Sequence, residues 1–191
     1  MKQIILASAS PRRKELLLRA GIDFKVVPSN YEEKLNSLIF SEEKIEDIAK
    51  NKALDVAARF PDDIIVSADT VVVLNNKIFT KPKNNEHAKS MLKELSGKTH
   101  FVQTSICVVF ADKIIIKSTK TYVTFNILSD EDINNYIKAY KPFDKAGAYG
   151  IQELPENFIK NVDGDIENVI GIPTKVLGLM LTNVNWIYRF N

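Results

Sequence analysis

The sequence predicts an α/β fold built on a mixed, twisted β-sheet flanked by helices. Runs rich in Ile and Val, which favour strands, alternate along the chain with segments whose apolar residues recur at helical spacing. Some candidate strands are separated by a helix, as in crossovers, and others by a few turn residues, as in hairpins. Because the 191 residues contain no repeat or low-complexity linker, we expect a single domain over 1–191, with a smaller lobe built from the central hairpins.

The first third of the chain is predicted to contain two strands and two helices. These are a strand at 3–8, a helix at 11–20, a strand at 24–29 and a helix at 42–60. Ser10-Pro11 is a favourable helix start, because serine caps free N–H groups and proline suits the first helical position. Gly21 is expected to end that first helix.

The remaining two thirds of the chain are predicted to contain two hairpins, one further strand and three helices. The elements are a strand at 63–74 turning at "NNK" into "IFTKP", a helix at 84–95, a long hairpin of 100–111 and 114–127, a helix at 129–140, a strand near 157–162 and a helix after Pro173. The helix at 129–140 begins with Ser129 and an acidic first turn, which is the usual start of a helix.

Composition excludes several classes of function. The 26 basic and 24 acidic residues leave a net charge of +2, too balanced for a nucleic-acid binder that relies on bulk charge. The single cysteine, Cys107, excludes an internal disulfide, disfavours a Cys/His zinc site and sits in an apolar run typical of a core. No run has the length of a membrane span and no signal peptide is visible, so we expect a cytoplasmic protein without a membrane partner.

The stretch "SPRRK", residues 10–14, puts three cations in the first turn of a predicted helix. Free N–H groups and the helix dipole make that turn positive already, so cations there are unfavourable unless an anion binds. The hydroxyls of Ser8 and Ser10, the N–H groups and the guanidinium groups of Arg12 and Arg13 would together hold a phosphate. The glycine patterns of P-loops and dinucleotide sites are absent.

Asp69 and Lys52 both break the pattern of the element that carries them. Asp69 interrupts an apolar strand, and we interpret it as a carboxylate at a cleft, serving as metal ligand or general base, in preference to a satisfied bend residue. Lys52 falls on the apolar stripe of its helix, where a functional and a snorkelling lysine fit equally well. Glu32 and Glu33, in a polar loop, offer further carboxylates.

Weaker signals come from the middle and the end of the chain. Lys81 precedes a proline, which biases its backbone toward an extended conformation. Lys98 and His100 follow a Ser-Gly turn, a pattern that more often marks a surface loop than a site. In "DKAGAYGIQ", residues 144–152, Tyr149 is able to stack on a planar ligand, and Gln152 offers a donor and an acceptor to a base edge. A tight turn is the alternative interpretation of that segment.

Five motifs, "SASPRRKELL", "SADTVV", "TKP", "LSGKTH" and "DKAGAYGIQ", resemble in this order the Maf family of nucleoside triphosphate pyrophosphatases, over about residues 3–180. The resemblance implies cleavage between the α and β phosphates with a divalent metal, and a fold similar to inosine triphosphatase-like proteins, with a cleft between two lobes. Magnesium or manganese suits an all-oxygen site. The ending "AYGIQ" resembles the branch that acts on dTTP and UTP, and a homodimer is expected by analogy.

The resemblance also implies roles for individual residues. Asp69 matches the catalytic aspartate and, with Glu33, would hold the metal, although Glu32 stays an alternative to Glu33. The residues expected to bind the triphosphate are Ser8, Arg12, Arg13, Lys52, Thr70, Lys81 and Gln152. Among them Arg12 and Arg13 would grip the phosphates, and Gln152 would recognise the pyrimidine.

Three positions depart from the family pattern: Lys141 stands for an acid, Glu153 for a glycine and Ile166 for a tyrosine. These departures bear on substrate preference and loop geometry more than on the reaction. The rival interpretation is a non-catalytic nucleotide-binding regulator of cell division or septum formation, which would use the same anion site. A positioned base at Asp69 favours the enzyme.

Overall fold

The computed structural model describes residues 2–33 and 37–184. Its strands are β1 (Ile4–Leu6), β2 (Lys25–Val26), β3 (Ile64–Leu74), β4 (Lys77–Phe79), β5 (Thr99–Phe110), β6 (Lys113–Phe125) and β7 (Ile159–Asp163). Its α-helices are α1 (Pro11–Arg19), α2 (Glu42–Ala57), α3 (Asn85–Leu95), α4 (Asp130–Tyr140), α5 (Ile166–Ile170) and α6 (Thr174–Thr182), and two 3₁₀ turns lie at Ala146–Ala148 and Ile151–Glu153. Within these ranges no helix combines the length and apolar character that a bilayer crossing needs.

The strands form one mixed sheet, as the sequence predicts. Their order is β2-β1-β3-β5-β6-β7, with β4 paired to β3. β1 runs parallel to β2 and β3, whereas the other pairs are antiparallel. The helices therefore serve as crossovers near the start of the chain, and tight hairpins follow. Asn75 and Asn76, both at positive φ, turn β3 into β4, as expected for a two-residue hairpin.

Two expectations for individual elements are wrong. The strand predicted at 24–29 is only two residues long, because Pro28 lacks the N–H that a longer ladder requires. His100 lies on β5, as the strand predicted at 100–111 requires, but it is buried and not at the surface. Its side chain packs edge-on against Phe125 of the neighbouring strand, so the core of the sheet covers it.

A gap along one edge of β3 determines where a ligand can enter. On its other edge β3 pairs with β5 continuously, from Ile65 to Val73. On the open edge, β1 covers 64–66 and β4 covers 72–74, so none of the strands that the structure describes pairs there with residues 67–71. Side chains in this central part of β3 can therefore be reached between the ends of β1 and β4.

Alternation along β3 directs neighbouring side chains to opposite faces of the sheet. Ile65 and Val71 belong to the apolar clusters on the face that α2 covers. Asp69 lies an even number of residues from both, so its side chain is on the same face. Ala68 and Val72 belong to clusters on the opposite face. Thr70 lies between them in the strand, so its side chain is on that opposite face. Asp69 and Thr70 thus reach the gap from the two faces of one strand.

Candidate active site

The gap in β3 opens into a cleft made of two adjoining cavities that share seven lining residues, among them Arg12, Lys52 and Lys81. The inner cavity is lined by five cationic side chains, Arg12, Arg13, Lys52, Lys81 and Lys145, and by three carboxylates, Glu33, Asp69 and Asp144. This excess of positive charge favours an anionic ligand. Every site residue that the sequence predicts lines one cavity or the other: Ser8, Arg12, Arg13, Glu33, Lys52, Asp69, Thr70, Lys81 and Gln152.

Lys52 sits between two carboxylates. Its Nζ lies 2.5 Å from Asp69 Oδ1 and 2.5 Å from Glu33 Oε1. The lysine comes from α2, the aspartate from β3 and the glutamate from the loop after β2, so three separate segments meet at one ammonium group. Lys52 lines both cavities, and its functional role stays a prediction.

The pKa values of the two carboxyl groups are shifted in opposite directions. Burial raises the pKa of Asp69 above its ordinary value; Lys52 opposes this shift and Glu33 adds to it. Burial also raises the pKa of Glu33, but Lys52 outweighs it and leaves that pKa below its ordinary value. The stronger base is therefore Asp69, since the site disfavours its charged form more.

Arg13 connects α1 to three other parts of the chain. Its Nη1 donates to Ser8 Oγ at 3.1 Å, its Nη2 to Thr70 Oγ1 at 3.0 Å and its Nε to the carbonyl of Gly171 at 2.9 Å. Burial lowers the pKa of the guanidinium, and the charges of Asp69 and Glu33 oppose that shift. Three of its five N–H donors are used here, which leaves two for a ligand.

The start of α1 differs from its prediction in one respect. Ser10 occupies the N-cap position, but in the described structure its side chain makes no capping hydrogen bond, and its own N–H donates to Ser8 Oγ at 3.2 Å. The first-turn N–H groups of Arg12 and Arg13 are therefore left to another acceptor. Arg12 donates through Nη1 to Asp144 Oδ2 at 2.7 Å, which brings its guanidinium to the rim of the cleft.

At the far end of the cleft, Gln152 and Tyr149 line the inner cavity. Gln152 is exposed on the second 3₁₀ turn, whereas Tyr149 is 5% exposed and its hydroxyl lies 2.7 Å from His100 Nε2. Burial lowers the pKa of His100 to about 4, so its imidazole is neutral at pH 7. Tyr149 is thus fixed from behind and presents part of its ring to the cavity.

Four polar residues of the site have no individual prediction from the sequence. Asp144 and Lys145 lie within the noticed segment 144–152, but an Asp-Lys pair before a glycine is also typical of a solvated turn. Asn168 is fully buried and holds Thr104 through its amide oxygen, and Thr104 in turn contacts Thr70. Asn168 does not stand out in "DGDIENVIGIP", because no hydrophobic periodicity in that stretch predicts that an asparagine is buried there.

The carboxylates fit a divalent metal bound together with a triphosphate. Asp69 and Glu33 converge on one atom, so their nearest oxygens are close enough to serve one ion. Magnesium commonly takes one or two protein carboxylates and completes its octahedron with phosphates and water. Among the described residues no group of three or more His, Cys, Asp or Glu side chains forms a site by itself, so the phosphates would have to contribute.

Residues 3–184 match the family model described as "Maf-like protein". The chain belongs to the Maf family. A protein of Pyrococcus furiosus named dTTP/UTP pyrophosphatase is 49% identical over 178 residues, which cover 93% of each chain. A second protein of that name, from Alkaliphilus oremlandii, is 47% identical over 186 residues, 96% of each chain.

The Maf-family chain shares its fold with a distant solved structure. A HAM1 protein from Coxiella burnetii superposes with a TM-score of 0.53 at 17% identity, covering 97% of this chain and 99% of the other. At that identity the likeness concerns the fold alone. It agrees with the predicted α/β class and its mixed sheet.

Proposed function

We propose that this Maf-family chain hydrolyses dTTP and UTP between the α and β phosphates, releasing the nucleoside monophosphate and pyrophosphate. The observation that carries the proposal is the convergence, in one cleft, of phosphate-binding cations with a buried carboxylate that an ammonium group orients. The names of the two relatives support the choice of substrates.

The triphosphate would bind at the α1 end of the cleft. There Arg12 and Arg13 line the outer cavity, at a helix start where no side chain of the described structure caps the first-turn N–H groups. Lys81, which follows β4 and lines both cavities, adds a fourth positive group. Positive groups fixed before the substrate arrives stabilise the charge that moves onto the leaving pyrophosphate, without a cost of reorganisation.

Asp69 would accept a proton from the attacking water. A general base works best with a pKa near the working pH, and burial shifts Asp69 in that direction. Lys52 holds one of its oxygens at 2.5 Å and so sets the orientation of the other. Ser8 and Ser10 have no histidine base within their described hydrogen bonds, which disfavours a covalent serine mechanism.

Asp69 and Glu33 would hold magnesium or manganese together with the substrate phosphates. When bound, such an ion polarises the phosphoryl oxygens and offsets their charge. Lys52 contacts both carboxylates, so the ion would share their oxygens with its ammonium group.

The pyrimidine would be recognised at the other end of the cleft. Gln152 presents a donor and an acceptor on an exposed turn, and Tyr149 provides a buried aromatic wall beside it. Thr70, oriented by Arg13 and Thr104, lies between the phosphate end and this wall. The homodimer and the cytoplasmic location stay predictions.

The test is a panel of triphosphates. Purified chain, magnesium or manganese, and each of dTTP, UTP, CTP, ATP and GTP are mixed in turn, and pyrophosphate release is measured. We expect release with dTTP and UTP well above the others. Tight binding of a triphosphate without any turnover would instead support the non-catalytic regulator.

A further inference from the structure

Lys145 is a buried cation that the proposed reaction leaves without a role. Its side chain is 7% exposed, and its Nζ lies 2.9 Å from Asp144 Oδ1 and 3.1 Å from Glu153 Oε2. A lysine is seldom buried without partners, because desolvating the ammonium is costly unless opposite charge replaces the lost water. Asp144 accepts a hydrogen bond from this ammonium, and Glu153 adds the opposite charge of an ion pair.

These contacts extend into a chain of charges along the wall of the cleft. The second oxygen of Asp144 accepts from Arg12, so Arg12, Asp144, Lys145 and Glu153 alternate in sign and each contacts the next. One end of the chain is the guanidinium at the start of α1. The other end is the residue directly after Gln152, in the same 3₁₀ turn.

The aliphatic part of Lys145 passes across the backbone of that turn. A Cβ added at Gly150 would lie 2.8 Å from Lys145 Cε, so a larger residue here would require the lysine side chain to shift. The turn is closed by the Glu153 N–H, which donates to the Gly150 carbonyl at 2.9 Å. From outside, the Gly150 N–H donates to the Tyr136 hydroxyl at 3.1 Å.

We propose that Glu153 is a positioning residue for base selection, which it performs by pairing with Lys145 and so holding the turn that carries Gln152. The inference rests on the proposed function. With the pair intact, the Gln152 amide stands at a fixed distance from the phosphate-binding end, so a base of the right hydrogen-bonding pattern meets it and others do not. Without the pair, the turn keeps its backbone bonds at Gly150 and Glu153 but loses the side-chain link that ties it to Lys145 and, through Asp144, to Arg12.

The experiment compares Glu153→Gln with a matched control, Glu156→Gln. Glu156 is exposed three residues further on and forms no ion pair among the described residues. For each protein, kcat and KM are measured with UTP, dTTP and CTP, and thermal unfolding is recorded. In Glu153→Gln we expect the ratio of kcat/KM for UTP over CTP to fall at least about fivefold, the low end of typical coupling between sites. The change lies mainly in KM for UTP, and Glu156→Gln keeps the wild-type ratio.

A purely structural ion pair would give a different result. It would lower the unfolding temperature of Glu153→Gln but affect all triphosphates equally, and an unchanged UTP-to-CTP ratio overturns the inference. Glu153→Asp keeps the charge but draws the carboxylate back by one methylene, so we expect an intermediate ratio; this variant decides if Glu153→Gln does not fold. If the wild-type chain itself releases no pyrophosphate from UTP or dTTP, the proposed function fails first, which is a separate outcome.

Discussion

The buried charge of Asp69 makes Lys52 a stabilising residue, and Lys52→Met measures by how much. The two side chains are 9% and 12% exposed, and their charged atoms are 2.5 Å apart. Methionine keeps the apolar stem and removes only the charge. Removing one partner of a buried pair costs about 3–5 kcal/mol, because the other charge is left uncompensated. The second contact is to Glu33, which is 42% exposed, so it adds at most about 1 kcal/mol.

The size of this loss depends on pH, and the sign follows from Asp69. Its folded-state pKa is already raised by burial, and losing Lys52 removes a group that lowers it. A folded state that binds a proton more tightly than the unfolded state loses stability as pH rises. The deficit of Lys52→Met is therefore largest at pH 8 and becomes smaller as the pH falls toward the ordinary carboxyl pKa, where protonation of Asp69 relieves the unpaired charge.

Urea unfolding at pH 8 and pH 5 is the assay. At pH 8 we expect Lys52→Met to lose about 3–5 kcal/mol of unfolding free energy. We also expect the double variant Lys52→Met/Asp69→Asn to recover to within about 1 kcal/mol of wild type, since no buried charge then lacks a partner. Wild-type stability in Lys52→Met at pH 8, or no recovery in the double variant, would refute the reasoning.

Two further predictions concern the phosphate end and the turn before Tyr149. Arg12→Ala removes a charge-assisted donor to the triphosphate, so kcat/KM for UTP should fall about tenfold. Lys14→Ala removes a neighbouring cation outside the described lining of the cleft and should match wild type. An unchanged kcat/KM in Arg12→Ala excludes its role in phosphate binding. Gly147→Ala combines a φ of +67° with a Cβ 3.0 Å from two methyl carbons of Val72, whereas Gly21→Ala has a φ of +68° and open space. Thermal unfolding should show a larger loss for Gly147→Ala, by about 1 kcal/mol or more, and equal losses would contradict a steric contribution.

The sequence predicts the parts of the site that break a local pattern. Asp69 stands out because a carboxylate interrupts an apolar strand, and "SPRRK" because cations occupy a turn that is already positive. Lys52 is detectable by its place on an apolar stripe. In each case the residue is energetically unfavourable in its own strand or helix. That can be inferred from the sequence of the element alone, without knowledge of the tertiary fold.

The parts that sequence reasoning misses depend on contacts between distant segments. Asp144 pairs with Arg12 across 132 residues, and Arg13 donates to the Gly171 carbonyl, a main-chain group that no side-chain pattern identifies. Lys145 belongs to a dipeptide that is usually solvated, and its burial follows only from the packing of the turn around it. His100 is similar, because its strand is predictable but its burial follows from packing against Phe125 and Tyr149, which are distant in sequence.

The central claim is tested most directly by identifying the products formed from UTP. Wild type and Asp69→Asn are incubated with UTP and magnesium, and nucleotides and phosphates are separated by chromatography. We expect wild type to give UMP and pyrophosphate in equal amounts, and Asp69→Asn to be slower by about 10²–10⁴-fold, the range of a general base. Circular dichroism should show that Asp69→Asn is still folded at the assay temperature, although loss of the buried pair with Lys52 lowers its stability. UDP and orthophosphate as products, or wild-type turnover in Asp69→Asn, would contradict the account.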